Sequence, residues 1–151
     1  MLALDLFIKL VRAADSVSVR LSTSRWQLTG SQFGVLEVLL HLGPMCQKEL
    51  SRKLLLSNSN VTTVIDNLEL RGLVKRVRGA EDRRFIEVQL TPTGRRLIAR
   101  VFPEHASRVT AVMSALSAEE QVALGDLLRK LGISAAGHEA GGAKLPEDEV
   151  A

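Results

Sequence analysis

The sequence predicts a mainly α-helical protein with one small β-hairpin. Apolar residues recur at helical spacing through most of the chain, and the period falls to two only between residues 74 and 90. The 151 residues suit one compact domain. Because the chain has four Phe, one Trp and no Tyr, we expect an aliphatic core.

The first two helices are predicted from apolar spacing and from capping residues. The first runs from Leu4 to about Leu21, and residues 22–28 read as a connection. The second begins after Thr29, because a threonine followed three residues later by Gln32 fits a capping box. The pair Gly43-Pro44 ends it.

A short third helix and a longer fourth helix follow in close succession. We expect them over about Gln47–Leu55 and about Ser59–Arg71, with a tight polar break between them. Gly72 stands where a helix commonly ends in a left-handed residue. The apolar stripe of the fourth helix repeats at i, i+3, i+4 and i+7 and consists of Val61, Val64, Ile65 and Leu68.

The β-hairpin is predicted from a change of period. Val74–Arg78 alternates imperfectly and Phe85–Leu90 alternates clearly, with a charged loop, Gly79–Arg84, between them. One face of the second strand is apolar and carries Ile86, Val88 and Leu90.

Two helices close the chain. Thr91-Pro92 is a helix start, and that helix reaches about Leu116 with Pro103 inside it, where we expect a kink. A second capping box, Ser117–Glu120, opens a last helix that should end at Gly132. The Gly/Ala-rich acidic tail, residues 134–151, is expected to be disordered.

Charge and cysteine content narrow the class of protein. The net charge is +3 and the pI is about 9.4. Since the tail is acidic, the remainder is more basic than this total, which suits a polyanionic partner without deciding the matter. The single cysteine, Cys46, excludes an internal disulfide. No apolar run is long enough for a membrane span, and the N-terminus is a poor signal peptide, so we expect a cytoplasmic protein.

The order helix, short helix, turn, helix and hairpin is that of a winged helix-turn-helix. The second helix of the pair is narrow enough to enter the major groove of double-stranded DNA. Small polar side chains on the face opposite its apolar stripe can reach base edges and phosphates. These candidate recognition residues are Asn58, Ser59, Asn60, Thr62, Thr63 and Asp66.

The hairpin supplies the positive charge that the recognition helix lacks. An arginine at its tip can enter the minor groove beside the helix. The candidate wing residues are Arg76, Arg78, Asp82, Arg83 and Arg84. The third helix adds candidate phosphate contacts, which are Lys48, Arg52 and Lys53.

A series of motifs in this order resembles the multiple-antibiotic-resistance-regulator (MarR) family over about Leu6–Ile133. The motifs are Leu28-Thr29-x-x-Gln32-Phe33-x-Val35-Leu36, Glu49-Leu50-x-x-Lys53-Leu54, Val61-Thr62-x-Val64-Ile65-Asp66-x-Leu68-Glu69-x-Arg71-Gly72-Leu73-Val74-x-Arg76, Asp82-Arg83-Arg84, Val88-x-Leu90-Thr91-x-x-Gly94, Leu116-Ser117-x-Glu119-Glu120 and Leu127-Leu128-x-x-Leu131.

The resemblance implies a homodimeric transcriptional regulator. It implies a helical dimerisation region over residues 1–28 and 92–133 and a winged DNA-binding lobe over 29–91. Two lobes would bind a pseudo-palindromic operator, most commonly as a repressor that a small molecule or an oxidant releases. The family pattern also implies that Arg84 reaches the minor groove and that Asp82 holds the wing.

The chain departs from that pattern in its recognition helix. Relatives often place Arg or Lys near the position of Thr63, whereas this chain has no positive charge there before Arg71. Base recognition should then depend on Asn and Thr, with Asn pairing to adenine.

Several other hypotheses remain open at this stage. An effector pocket could involve Arg12, Trp26, His41 and Arg108, although a packing role for Trp26 and solvated arginines are the stronger interpretation. Cys46 could sense oxidants or be a small buried hydrophobe. A metal site at His41, Cys46, Glu104 and His105 lacks the expected spacing, and no cofactor or catalytic motif is found. The alternative function is a winged-helix protein-interaction module without specific DNA binding.

Overall fold

The computed structural model describes residues 1–79, 82 and 84–139, with side chains as far as residue 135. The predicted class is confirmed, since the described chain is mostly helical with a small antiparallel sheet. None of its helices combines the length and the apolar character that crossing a membrane requires. The elements are α1 (Leu2–Arg20), a 3₁₀ turn (Ser24–Trp26), α2 (Gly30–Leu42), β1 (Met45–Cys46), α3 (Gln47–Leu54), α4 (Asn58–Leu70), β2 (Val74–Arg78), β3 (Ile86–Leu90), α5 (Pro92–Met113) and α6 (Ala118–Glu139).

Side-chain caps fix where the helices begin. The capping box predicted for α2 is present: Gln32 N–H donates to Thr29 Oγ1 at 3.1 Å, and Thr29 N–H donates to Gln32 Oε1 at 3.0 Å. Ser57 caps α4, so that helix begins one residue earlier than predicted. Gly72 has φ of +66°, which confirms the left-handed residue expected after α4.

The predicted hairpin is part of a three-stranded antiparallel sheet with the order β1-β3-β2. β1 is the additional strand, in which Met45 lies opposite Val88 and Cys46 opposite Glu87. Two residues are too few to show an alternating pattern, and so β1 could not be predicted from periodicity.

The core lies where α2, α3, α4 and α5 pack together and against the sheet. As predicted, it is aliphatic in its largest fully buried side chains, and the predicted stripe of α4 supplies three of its buried members. The largest fully buried side chains are Leu36, Leu39, Leu50, Ile65, Leu68, Ile98, Val35, Val61, Val74 and Val88.

The ends of the last two helices differ from the prediction. Helix α5 continues through Pro103 but ends at Met113 rather than near Leu116. The predicted end of the last helix at Gly132 is wrong, because α6 continues to Glu139. One glycine inside a helix costs only about 1 kcal/mol, and the residues that follow, Ile133 and two alanines among them, are compatible with a helix. Residues 140–151 of the predicted disordered tail lie outside the described residues.

The chain forms two compact units, Met1–Ala115 and a second that begins at Leu116. Within the first unit, the end of α4 meets the start of α5 at very short range. Thr91 N–H donates to the carbonyl oxygen of Leu73 at 3.1 Å, and Thr91 Oγ1 donates to the carbonyl oxygen of Gly72 at 2.6 Å. Gly94 packs directly on Leu73, where a Cβ would lie 1.9 Å from the Leu73 carbonyl oxygen.

We predict that Gly94→Ala destabilises the protein. Its Cβ would overlap a backbone atom that cannot rotate away, and such overpacking typically costs about 1–3 kcal/mol. Urea denaturation at fixed protein concentration measures the loss. Gly30→Ala is the matched control, because its Cβ would meet no atom within 4 Å. Equal stability of the two variants would show that the close approach at Gly94 is not a constraint.

Candidate nucleic-acid interface

Helix α4 has one buried face and one exposed polar face. Val61, Ile65 and Leu68 are fully buried in the core. The predicted recognition residues Asn58, Ser59, Asn60, Thr63 and Asp66 are exposed, and Thr62 is partly buried. The sequence pattern therefore placed the polar face of this helix correctly.

The two threonine hydroxyls of α4 are engaged within the protein. Thr62 Oγ1 donates to the carbonyl oxygen of Asn58 at 2.8 Å and accepts a hydrogen bond from Gln47 Nε2. Thr63 Oγ1 donates to the carbonyl oxygen of Ser59 at 3.2 Å. These bonds use the hydroxyl protons inside the helix, so the threonines keep acceptor lone pairs and their methyl groups for a ligand.

The amide side chains at the start of α4, unlike the threonine hydroxyls, are not bonded within the described structure. Among the described residues, neither the Asn58 nor the Asn60 side chain has a hydrogen-bond partner, and both are exposed. An amide side chain has one acceptor and two donors. It can therefore pair with the major-groove edge of adenine, which presents one acceptor and one donor.

Arg76 joins the recognition helix to the hairpin. Its Nη1 lies 2.6 Å from Glu69 Oε2 and its Nη2 lies 2.6 Å from Asp66 Oδ1. The backbone N–H of Arg76 also donates to Glu69 Oε1 at 3.0 Å. Partial burial by itself lowers the pKa of Arg76, but the bonds to Asp66 and Glu69 more than offset this and leave the pKa raised.

This geometry changes the interpretation of two predicted site residues. Arg76 was expected to contact DNA directly, yet its guanidinium is held by two carboxylates and only 26% of its side chain is exposed. Asp66 is bound by the same guanidinium, through Arg76 Nη2. Both residues fit a positioning role, in which they fix the hairpin relative to α4.

The tip of the hairpin carries an exposed arginine, Arg84, that bonds to Asp82. Asp82 Oδ1 accepts hydrogen bonds from Arg84 N–H at 2.9 Å and from Arg84 Nε at 3.3 Å. The Arg84 side chain is nevertheless 92% exposed, so its charged end remains available. Arg78 is exposed at the end of β2, and the predicted Arg83 lies outside the described residues.

The predicted phosphate contacts all lie on the surface of α3. Lys48, Arg52 and Lys53 are exposed, whereas Leu50 and Ser51 of the same helix are buried. Helix α3 precedes α4 in the helix-turn-helix pair, and the exposed lysines and arginine give it a basic outer face.

A cavity of about 540 Å³ lies where α1, the 3₁₀ turn, α2 and α5 meet. Its wall combines apolar side chains with a cluster of hydroxyl groups. The lining residues are Val17, Ser18, Leu21, Ser22, Thr23, Ser24, Leu28, Thr29, Gly30, Phe33 and His105. The run of three hydroxyl residues at 22–24, within the segment predicted as a connection, was the sequence signal for it.

None of the four residues predicted for an effector pocket lines this cavity. Trp26 stands behind the wall, with its ring 6.0 Å from Phe33 and 6.1 Å from His105. His41 contacts the edge of Phe102 at 4.6 Å instead. The other two are Arg108, which bonds to backbone carbonyls beside the cavity, and Arg12, which is exposed on α1.

Cys46 occupies the N-cap position of α3. Its N–H donates to Glu49 Oε2 at 3.1 Å, and its side chain completes the capping box. The residue is half-buried. This position gives Cys46 a structural role, and the redox hypothesis stays a prediction.

The fold and the exposed face of α4 beside an arginine-bearing hairpin define a winged helix-turn-helix DNA-binding protein. A family model described as "MarR family" matches residues 28–86. The HTH-type transcriptional regulator MhqR of Bacillus subtilis is 33% identical over 135 residues, which cover 88% of this chain and 93% of that protein.

Solved structures agree with this assignment. BpsR of Bordetella bronchiseptica, whose DNA binding is regulated by 6-hydroxynicotinic acid, has a TM-score of 0.71 and 28% identity over 81% of this chain and 89% of its own. PcaV of Streptomyces coelicolor, solved with its natural ligand, has a TM-score of 0.72 and 26% identity over 86% and 91%. The chain belongs to the MarR family and is a DNA-binding transcriptional regulator, which favours this function over a protein-interaction module.

We predict that Arg76→Ala destabilises the protein by about 1–2 kcal/mol, since it leaves Glu69 and Asp66 without their shared partner. Urea denaturation measures the change, and a double-mutant cycle with Glu69→Gln isolates the pairwise contribution. Lys75→Ala, at the exposed neighbouring position in β2, is the control. Additive effects of Arg76→Ala and Glu69→Gln would contradict the proposed connection.

Proposed function

We propose that the protein is a homodimeric repressor that binds a pseudo-palindromic operator in cytoplasmic DNA and is released by a small-molecule effector. The observation that carries the proposal is the pairing of two exposed features in one lobe: the polar face of α4 and the exposed guanidinium of Arg84. A helix in the major groove with an arginine in the adjacent minor groove gives both base recognition and backbone affinity.

Specific contacts would come from the start of α4. Asn58 and Asn60 supply free amides, and the exposed methyl of Thr63 can contact a thymine methyl. Phosphate contacts would come from Lys48, Arg52 and Lys53 of α3 and, at the hairpin, from Arg78 and Arg83. This division assigns specificity to uncharged groups and non-specific affinity to the cations around them.

Dimerisation is supported by apolar surface on the helices at the two ends of the chain. Helix α1 has no buried residue, although its sequence is amphipathic, and α6 also exposes large hydrophobic side chains. Exposed apolar side chains in such numbers on one helix normally mark an interface. We assign residues 1–28 and 92–133 to dimerisation and 29–91 to the DNA-binding lobe. The exposed residues are Leu2, Leu4, Leu6, Phe7, Ile8, Val11, Val122, Leu124, Leu127, Leu128 and Leu131.

Control by a small molecule is supported by the cavity beside α1. Its volume of about 540 Å³ falls within the range of ordinary ligand sites. Regulation of BpsR by 6-hydroxynicotinic acid shows that a protein of similar structure responds to such a molecule. The cavity wall includes Thr29 and Gly30 at the start of α2, so a ligand there would contact the DNA-binding lobe itself.

We predict that Arg84→Ala weakens binding to operator and to unrelated DNA alike. Loss of one cation at the backbone should lower the slope of log K against log salt by about one ion. Salt titrations with both DNA types measure this. Arg12→Ala, an exposed arginine on α1, should leave the slope unchanged. An unaltered slope in Arg84→Ala would remove the wing from the interface.

We predict that Asn60→Ala acts differently, with loss confined to one or two base pairs of each half-site. One lost bidentate contact should reduce discrimination at that position by about 1–3 kcal/mol. Competition binding with a set of singly substituted operators maps the effect. Leu70→Ala, at an exposed position of α4 outside the candidate recognition residues, is the control. A uniform loss across all sequences would show that Asn60 supports the helix and does not read bases.

A further inference from the structure

The first turn of α3 places a glutamine side chain against the recognition helix. Gln47 Nε2 donates a hydrogen bond to Thr62 Oγ1 of α4, which lies 15 residues farther along the chain. Both side chains are partly buried. Gln47 was not among the residues predicted to contact DNA, so this bond between the two helices requires its own explanation.

The backbone that carries Gln47 is held on its N-terminal side. Cys46 N–H donates to Glu49 Oε2 at 3.1 Å and so contributes to the capping box of α3. Cys46 also lies opposite Glu87 of β3 in the sheet. The amide of Gln47 therefore extends from an anchored backbone, which restricts where its nitrogen can lie.

Apolar packing already joins α3 to α4. Leu50 of α3 is fully buried in the same core as Val61 and Ile65 of α4. Burial of several such side chains stabilises a pair of helices more than one neutral hydrogen bond does. The bond between Gln47 and Thr62 therefore contributes orientation more than stability.

The hydrogen bonds of Thr62 leave its hydroxyl with one unused function. A hydroxyl has one proton and two acceptor lone pairs. Thr62 donates the proton to the carbonyl oxygen of Asn58 at 2.8 Å, and one lone pair accepts from Gln47 Nε2. Because the amide nitrogen of Gln47 can only donate, Thr62 cannot turn its proton toward it. One acceptor lone pair remains for an external partner.

Thr63, the next residue of α4, is bonded differently. Its Oγ1 also donates to a carbonyl oxygen one turn back, that of Ser59, at 3.2 Å. Among the described residues its hydroxyl has no second partner, so it can rotate and either donate or accept. Of these two threonines, only Thr62 has its hydrogen-bonding function fixed by another helix.

We propose that Gln47 is a positioning residue that determines base specificity through Thr62. Held as an acceptor, Thr62 Oγ1 pairs with an exocyclic amine in the major groove, which adenine and cytosine present and guanine and thymine do not. One position of each half-site is then restricted to adenine or cytosine on the strand that α4 contacts. The inference rests on the proposed role of α4 in base recognition and extends it to a residue of α3.

The test uses the full-length protein and an operator that this protein selects from a random library of DNA duplexes. Competition binding at fixed salt with singly substituted operators measures the preference at every base pair. We expect Gln47→Met, which keeps the length of the side chain but removes the amide, to reduce the preference for adenine or cytosine at one position about fivefold. Since no charge is lost, affinity for unrelated DNA should stay the same. An unchanged preference at every position, or an equal loss on all sequences, overturns the proposal.

A second variant tests whether Gln47 acts through Thr62. Thr62→Val removes the hydroxyl and keeps the shape, so it should relax the same base position, and it also tests the proposal if Gln47→Met does not fold. Because both substitutions remove one shared function, the double variant should lose no more than Thr62→Val alone. Additive losses, or losses at different base positions, contradict an action of Gln47 through Thr62.

Lys48→Met, at the next residue of α3, is the matched control. Lys48 is exposed and is proposed to contact phosphate. Loss of its charge should weaken binding to operator and to unrelated DNA equally and leave the base preferences as they were. If Lys48→Met relaxed the same base position as Gln47→Met, any disturbance of α3 would alter specificity, and the assignment of Gln47 would be wrong.

Failure of this inference and failure of the proposed function give different results. If the unaltered protein selects an operator and Gln47→Met keeps every base preference, only the role of Gln47 is contradicted. If the unaltered protein selects no duplex from the library, the proposed function itself is contradicted, and the proposed role of Gln47 is contradicted with it.

Discussion

The geometry of the DNA-binding lobe depends on the contacts of one backbone atom, the carbonyl oxygen of Leu73. It accepts a hydrogen bond from Thr91 and packs against Gly94, while Thr91 Oγ1 holds the preceding carbonyl of Gly72. The end of α4, the base of the hairpin and the first turn of α5 therefore meet within a few atoms. Only glycine permits this approach, so the angle between the recognition helix and the wing is set by backbone contact.

Arg76 connects α4 to the hairpin at a second place. Because its guanidinium is shared between Glu69 and Asp66, one of the wing cations predicted for DNA is used inside the lobe. The positive charge that we propose for phosphate contact is carried by exposed groups such as Arg84, which bonds to Asp82. In the proposed interface the paired Arg76 would position the hairpin, and the exposed Arg84 would supply affinity for DNA.

Local signals in the sequence predicted most of the secondary-structure elements. The features that they did not predict depend on contacts between distant parts of the chain. The capping box at Thr29 and the Thr91-Pro92 pair located helix starts because capping depends on residues only a few positions apart. The β1 strand could not be found, since its pairing with β3 is a long-range event. The role of Arg76 was hidden for the same reason, because a sequence does not show which cations are paired. The cavity wall is drawn from separate segments, and His105 alone carries no pattern.

Contacts between the cavity wall and the end of α4 would give the proposed effector control a short physical route. Gln32 Oε1 accepts from the N–H of Thr29, which lines the cavity, and also lies 3.4 Å from Arg71 Nη1 at the end of α4. The same Arg71 nitrogen donates at 2.6 Å to the carbonyl of Gln27, a residue with φ of +57°. A ligand shifts an equilibrium only through its differential affinity for two states. We expect a ligand that displaces Thr29 to disturb the Gln32 contact to Arg71 and, through it, the end of α4.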